Sequence, residues 1–176
     1  MRAQGFTVVM TRTKDAGISL EHRVHKIAKS KPADLFVSIH ANSSANSAAS
    51  GIETFCLTPS LFRTVSCSLS PQCGFAMDKL LACTDKKSLL FAKLLQRHVV
   101  HSARRAFPKV VDRKVKHAVA RMLLGINIPG ILLEVGFLTN KKEAELLCTA
   151  NYQSVLAQGI CKSVVDYFHR ERAIPL

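Results

Sequence analysis

The sequence predicts an α/β fold with three layers, in which a mostly parallel or mixed twisted sheet is flanked by helices. Short apolar segments rich in β-branched residues alternate with segments whose apolar residues recur at helical spacing. The 176 residues are 48% hydrophobic and 21% charged, which is typical of a globular chain with a real core. We therefore expect one domain over 1–176, with an insertion at 58–84 where proline and glycine break every pattern.

Two strands and one helix are predicted in the first forty or so residues. Residues 5–12, GFTVVMTR, have the β-branched content of a strand. Ser19 is placed to cap a helix that Pro32 ends. Residues 35–39, LFVSI, predict a second, buried strand, and His40 follows at its exit.

The middle of the chain predicts a third strand and a long helix. Residues 51–57, GIETFCL, have the apolar pattern of a strand. From Asp85 onward the apolar residues form a 3-1-3-1 stripe with basic residues off it, and Pro108 ends this helix.

The C-terminal part predicts a buried strand followed by two helices. Residues 130–137, GILLEVGF, are apolar on both faces around Glu134, as expected of a strand covered on both sides. Asn140 with Glu143 forms a capping pair for a short helix at 141–148. A last amphipathic helix is predicted over 152–170.

The net charge of +13 favours anionic partners such as nucleic acid, a membrane surface or an acidic polymer. Nine lysines or arginines and a single acid, Asp112, fall between Lys93 and Arg121. The absence of tryptophan, an aromatic content of 6% and the lack of a recognition motif argue against nucleic acid, which we do not expect as a partner. No apolar run approaches the ~20 residues of a membrane span.

The six cysteines include no C-x-x-C pair, which argues against a zinc ribbon. They could pair in an oxidising compartment or remain small apolar residues in a reducing one. A cysteine hydrolase is a weaker alternative, since no cysteine lies at a strand-to-helix turn beside basic residues.

His40 and Glu134 are the residues that suggest chemistry. Each lies in or at the end of an apolar strand, and strand ends of an α/β sheet meet along one edge. A solvated histidine and an ion-paired glutamate would be the structural alternatives. A histidine-held zinc ion with a nearby carboxylate is a standard arrangement for hydrolysing an amide, because the metal acidifies water and the carboxylate takes the proton.

Five segments carry a resemblance to a known family: ADLFVSIHANSS, GIETFCL, IPGILLEVGFLTNKKEAELL, GFTVVMTRTKD with SLEHR, and LAQGICKSVVDYF. Together they resemble the zinc-dependent N-acetylmuramoyl-L-alanine amidases of the Amidase_3 type, over nearly the whole chain except 58–84. The resemblance implies cleavage of the amide between N-acetylmuramic acid and L-alanine in peptidoglycan. It also implies Zn²⁺ as cofactor and the possibility of a regulatory protein activator.

The resemblance assigns roles to individual residues. His40 would be a zinc ligand, and Glu134 would be the catalytic carboxylate that activates water. Asn140 and Arg23 also match the family pattern, the first with a capping role and the second with no assigned chemistry. Glu53 matches too and is interpreted as structural.

Family members carry, before GFTVV, a D-P-G-H-G strand whose histidine is a zinc ligand, a glutamate shortly after it that is the second ligand, and then a helix. The resemblance therefore implies a catalytic domain that is N-terminally incomplete, and the 176 residues alone are expected to hold zinc weakly and hydrolyse little peptidoglycan. His22 and His25, three residues apart, are interpreted as solvated rather than as replacement ligands. The alternative is an impaired relative that binds an anionic glycan or another polyanion, including nucleic acid, without cleaving it. Location follows the start of the chain: periplasm or cell envelope if an export signal precedes Met1, cytoplasm if Met1 is the native start.

Overall fold

The computed structural model describes residues 1–29, 33–57, 75–118, 123 and 128–172. Within these ranges a short 3₁₀ turn at Arg2–Gln4 precedes four helices, namely α1 (Leu20–Lys29), α2 (Phe75–Ala106), α3 (Lys141–Leu147) and α4 (Ala150–Arg172). The strands of the same ranges are β1 (Phe36–Asn42), β2 (Ile52–Cys56), β3 (Asp112–His117) and β4 (Gly130–Phe137). No helix in the described ranges combines the length and apolarity needed to cross a bilayer.

The strands form one mixed sheet in the order β1-β4-β2-β3. β1 pairs with β4 and β2 pairs with β3 in parallel, whereas β2 and β4 are antiparallel. The last strand in the chain, β4, therefore lies between β1 and β2. The predicted α/β class, with a mixed sheet flanked by helices, is confirmed.

Helix α2 covers one face of this sheet, and α4 packs on α2. The predicted apolar stripe of α2 is confirmed, because Phe91, Leu95 and Val99 are fully buried. Thr54 Oγ1 donates a 2.7 Å hydrogen bond to Gln96 of α2, so Thr54 lies on the covered face. Side chains alternate along a strand, and the neighbours of Thr54 in β2 therefore lie on the opposite face.

Gly159 allows α4 to approach α2 at backbone distance. A Cβ at this position would lie 2.7 Å from Val99 Cα and 3.1 Å from the His98 carbonyl oxygen. We expect Gly159→Ala to lower the free energy of unfolding by about 3 kcal/mol, since the two backbones must separate. Urea unfolding checks this. Gly17→Ala is the control, because its Cβ would meet nothing within 4 Å; a similar loss in both variants would contradict the prediction.

The strand predicted at 5–12 is wrong. Gly5 ends the 3₁₀ turn in the left-handed conformation, with φ 82°, and the residues after it belong to no strand. Val9 and Met10 are 58% and 53% exposed. β-branched residues favour a strand only where a neighbouring strand pairs with them, and no described strand pairs with this segment.

Other boundaries also differ from those predicted. β1 continues to Asn42 because its pairing with β4 extends to Phe137, and His40 therefore lies within the strand rather than after it. Residues 58–74 of the predicted insertion lie outside the described residues, and 75–84 belong to α2. The insertion itself stays a prediction. Pro32, expected to end α1, also lies outside the described residues.

Candidate active site

Three titratable side chains form a row across three adjacent strands. His40 of β1 is the register partner of Glu134 in β4, and Glu134 is the register partner of Glu53 in β2. Register partners project from the same face of a sheet, with strands ~4.8 Å apart. The row therefore lies on the face opposite α2. The expectation that His40 and Glu134 lie side by side is confirmed, and Glu53 joins them.

His40 is held in the row by a neighbour on its own strand. Its Nε2 lies 2.9 Å from Ser38 Oγ, and Ser38 is itself buried. Burial, and then the positive charge of Arg23, lower the pKa of the His40 imidazole. The ring is therefore neutral at neutral pH, the form in which one nitrogen keeps a free lone pair.

Glu134 is the least satisfied polar side chain of the row. Its Oε2 is buried and has no hydrogen-bond partner among the described residues. Burial, and then the negative charge of Glu53, raise the pKa of Glu134 to about 7. A carboxylate with a pKa near the working pH is suited to accept and return a proton. An uncompensated buried carboxylate costs free energy, and such groups are enriched at functional sites.

Glu53 is 3% exposed and accepts three hydrogen bonds. The donors are Asn42 Nδ2 at 2.8 Å, Arg113 Nε at 2.6 Å and Lys116 Nζ at 2.5 Å. Burial alone would raise the pKa of Glu53, but the hydrogen bonds and charges of Lys116 and Arg113 outweigh it and lower that pKa. Glu53 therefore stays ionised beside Glu134.

A bulge in β3 brings both cations to Glu53. Residues three apart in a regular strand point to opposite faces. Lys114, between Arg113 and Lys116, has φ 71°, a left-handed conformation that is unfavourable for a residue with a Cβ. The pairing of β2 with β3 shifts register at this point. Arg113 and Lys116 both reach the face of the row as a result.

Glu143 of α3 forms hydrogen bonds with the backbone next to β2 and with the end of β4. Its carboxylate accepts hydrogen bonds from Gly51 N and Phe137 N, each 2.7 Å long. The predicted N-cap is confirmed, because Asn140 Oδ1 accepts a 3.2 Å bond from Glu143 N. The Glu143 side chain thus fixes the start of β2 and the end of β4, beside the row.

The described residues do not make a complete zinc site. In the described parts of the chain, no group of three or more His, Cys, Asp or Glu side chains is arranged to hold a metal ion. His40 offers one suitable nitrogen, whereas Glu53 is already bound by two cations. A protein zinc site needs three or four ligands. His22 and His25 are exposed on α1, as expected of solvated residues.

Sequence reasoning did not identify Ser38, Asn42, Arg113 or Lys116 as part of this site. Ser38 and Asn42 are two residues before and after His40, a spacing that places all three on one face of a strand. This two-residue spacing is visible in the sequence and could have predicted that Ser38 and Asn42 lie beside His40. The contacts of Arg113 and Lys116 with Glu53 depend on the bulge at Lys114, and no local sequence pattern predicts that bulge.

Four of the nine lysines and arginines between Lys93 and Arg121 line a cleft between α2 and β3. The cleft encloses about 460 Å³, and its basic lining residues are Lys93, Arg97, His101, Arg104 and Lys114. It lies along the helix-covered side of the sheet, away from the row of His40, Glu134 and Glu53.

Comparison with known proteins identifies relatives over almost the whole chain. AmiA of Escherichia coli (strain K12), an N-acetylmuramoyl-L-alanine amidase, is 30% identical over 96% of this chain. LytC of Bacillus subtilis (strain 168), which has the same activity in its name, is 31% identical over 96% of this chain and 28% of its own length. The chain spans 63% of the length of AmiA.

Solved structures of N-acetylmuramoyl-L-alanine amidases also resemble this chain. The catalytic domain of CwlV, an N-acetylmuramoyl-L-alanine amidase from Bacillus (Paenibacillus) polymyxa var. colistinus, matches with a TM-score of 0.70 and 28% identity, over 93% of this chain and 73% of that one. The N-acetylmuramoyl-L-alanine amidase of Clostridium difficile 630 matches with a TM-score of 0.69 and 31% identity, over 93% of this chain and 72% of that one.

The fold and the row of side chains define an α/β protein whose site combines an imidazole with a carboxylate of raised pKa. The family model Amidase_3, N-acetylmuramoyl-L-alanine amidase, matches residues 1–166. The chain belongs to this family.

Proposed function

We propose that the protein is a peptidoglycan hydrolase that cleaves the amide bond between N-acetylmuramic acid and the L-alanine of the stem peptide. Membership of the amidase family supports this reaction. The observation that carries it is Glu134, a carboxylate with a buried, unpartnered oxygen in register with His40. Such a carboxylate can accept a proton where an imidazole can help to position the reacting groups.

Glu134 acts as the general base in this proposal. Its Oε2 takes a proton from the attacking water, and the same oxygen returns the proton to the leaving L-alanine nitrogen. Its elevated pKa makes the second transfer as accessible as the first near neutral pH. Glu53 remains ionised and holds Asn42, which lies two residues from His40 on the same face.

His40 contributes one zinc ligand in this proposal, because its lowered pKa leaves the imidazole neutral and able to bind a metal. Zinc, when bound, would polarise the amide carbonyl and lower the pKa of water. The remaining ligands would have to come from outside the described residues, since these contain no group of three.

The binding-only alternative is not favoured, because AmiA and LytC, which match almost the whole chain, are named as amidases. We propose peptidoglycan as the substrate and, accordingly, the cell envelope as the location. A regulatory protein partner is also a proposal. The CwlD amidase from Clostridioides difficile, with a TM-score of 0.67 and 24% identity, is in complex with the GerS lipoprotein; at that identity the likeness concerns the fold alone.

Digestion of purified sacculi tests the reaction. We expect muropeptide analysis to show free stem peptides with a new L-alanine amino terminus and intact glycan strands. Because a zinc site needs ligands beyond His40, both the 176-residue chain and the protein with any residues its gene encodes beyond it should be assayed, each with added zinc. Binding to sacculi without release of stem peptides by either form would favour the non-cleaving alternative instead.

A further inference from the structure

We propose that Arg113 and Lys116 form a carboxylate-binding subsite beside the row of His40, Glu134 and Glu53. The ligand is an acidic side chain or α-carboxylate on the second residue of the stem peptide, the one after L-alanine. This inference rests on the proposed function, because it places the scissile amide at Glu134.

Three contacts hold the guanidinium group of Arg113 in position. Its Nε donates to Glu53, its Nη1 lies 3.5 Å from the Ser50 carbonyl oxygen, and its guanidinium carbon lies 4.9 Å from the centre of the Phe137 ring. A guanidinium held in this way loses little conformational freedom when it binds an anion.

Both cations keep donors that the described residues do not use. The guanidinium has five N–H groups and the ammonium has three. Within the described ranges, no hydrogen bond uses Arg113 Nη2, and Lys116 Nζ donates to Glu53 alone. The two side chains are 32% and 40% exposed, so a ligand can reach them. A carboxylate has two oxygens and can bind both cations at once.

Glu53 contacts two cations, although it carries one negative charge. One cation would neutralise Glu53, yet the bulge at Lys114 brings two to the same carboxylate oxygen. The bulge requires φ 71° at a lysine, a conformation that costs stability. Arg113 and Lys116 form their ion pairs with Glu53 and not with Glu134. One of the two cations is therefore available to a further anion.

The spacing fits the second residue of the peptide. Strand β2, which carries Glu53, is ~4.8 Å from β4, which carries Glu134. An extended peptide advances ~3.5 Å per residue, so the residue after L-alanine lies ~7 Å from the scissile amide. The charged ends of Arg113 and Lys116 contact Glu53, which lies one strand spacing from Glu134, a separation comparable with this distance.

Two synthetic substrates that differ by one group test the subsite: N-acetylmuramoyl-L-alanyl-D-isoglutamate and its isoglutamine counterpart, in which the carboxylate is an amide. We expect the protein to prefer the acid by about tenfold or more in kcat/KM. Lys116→Gln and Arg113→Gln should remove the preference by raising KM for the acid more than KM for the amide. Lys162→Gln, at an exposed cation on α4, is the control and should keep the preference.

Equilibrium binding of the same two compounds, measured by calorimetry, separates the two proposals. Hydrolysis of both at equal kcat/KM would overturn the subsite and leave the proposed function standing. Binding of the acid that depends on Lys116, without hydrolysis, would support the subsite and count against the function. If Arg113→Gln does not fold, the more exposed Lys116→Gln decides; unchanged preference in that variant would overturn the subsite.

Discussion

Replacing Glu134 with glutamine is expected to lower kcat/KM for amide hydrolysis by about 10²–10⁴-fold, the usual contribution of a general base. Glutamine has the shape of glutamate but cannot take a proton from water. In the unsubstituted protein, activity should rise as the pH passes through about 7, where Glu134 becomes ionised. Bound zinc, measured by elemental analysis, should be the same in both proteins.

Glu145→Gln is the matched control, because Glu145 is an exposed glutamate on α3. We expect it to leave both rate and metal content unchanged. If Glu134→Gln loses zinc as well as activity, Glu134 is a ligand and not the base.

The same substitution should stabilise the folded protein at alkaline pH. The folded pKa of Glu134 is raised from 4.5 to about 7, so its contribution to stability is fully present below about pH 4.5 and is lost as the pH rises through about 7. Glutamine does not ionise and avoids that loss. The melting temperature of Glu134→Gln relative to the parent should therefore increase between pH 5 and pH 8.5. A constant difference across this range would show that the carboxylate is not desolvated.

Replacing His40 with alanine is expected to remove both activity and bound zinc. The imidazole is the one nitrogen that the described part of the row offers to a metal, and neutral imidazole is a good zinc ligand. We expect hydrolysis of sacculi to fall to background and the zinc-to-protein ratio to fall with it.

His22→Ala and His25→Ala test the specificity of that loss, since both histidines are exposed on α1. Each should keep the parent's zinc content and rate. Loss of zinc in either one would mean that a ligand lies on α1, and the proposed role of His40 would need revision.

Local patterns in the sequence were sufficient to predict strand β4 and the start of helix α3. Residues 130–137 were predicted as a strand and form β4 with those bounds, because an apolar run around one carboxylate has few other stable arrangements. Asn140 was predicted as an N-cap from its spacing to Glu143, and this local bond is present. Juxtaposition of His40 and Glu134 followed from the rule that strand ends of an α/β sheet converge.

The remaining features depend on contacts between distant residues. Strand β3, DRKVKH, is mostly charged, and nothing in its composition predicts a strand. It pairs with β2, which lies far away in the sequence, and its bulge exists only in that pairing. The surroundings of Glu53 were missed for this reason, because its two cations come from β3.

The position of β4 in the middle of the sheet has a consequence for synthesis on the ribosome. β1 and β2 emerge first, but they do not pair with each other, and β4 must fill the gap between them. About ninety residues separate His40 from Glu134, which takes roughly 5–20 s at typical bacterial elongation rates. During this interval the edge of β1 that later pairs with β4 is available to other chains. Newly made copies are therefore most prone to aggregate before residue 137 is released, and slow translation between β2 and β4 should lower the soluble yield.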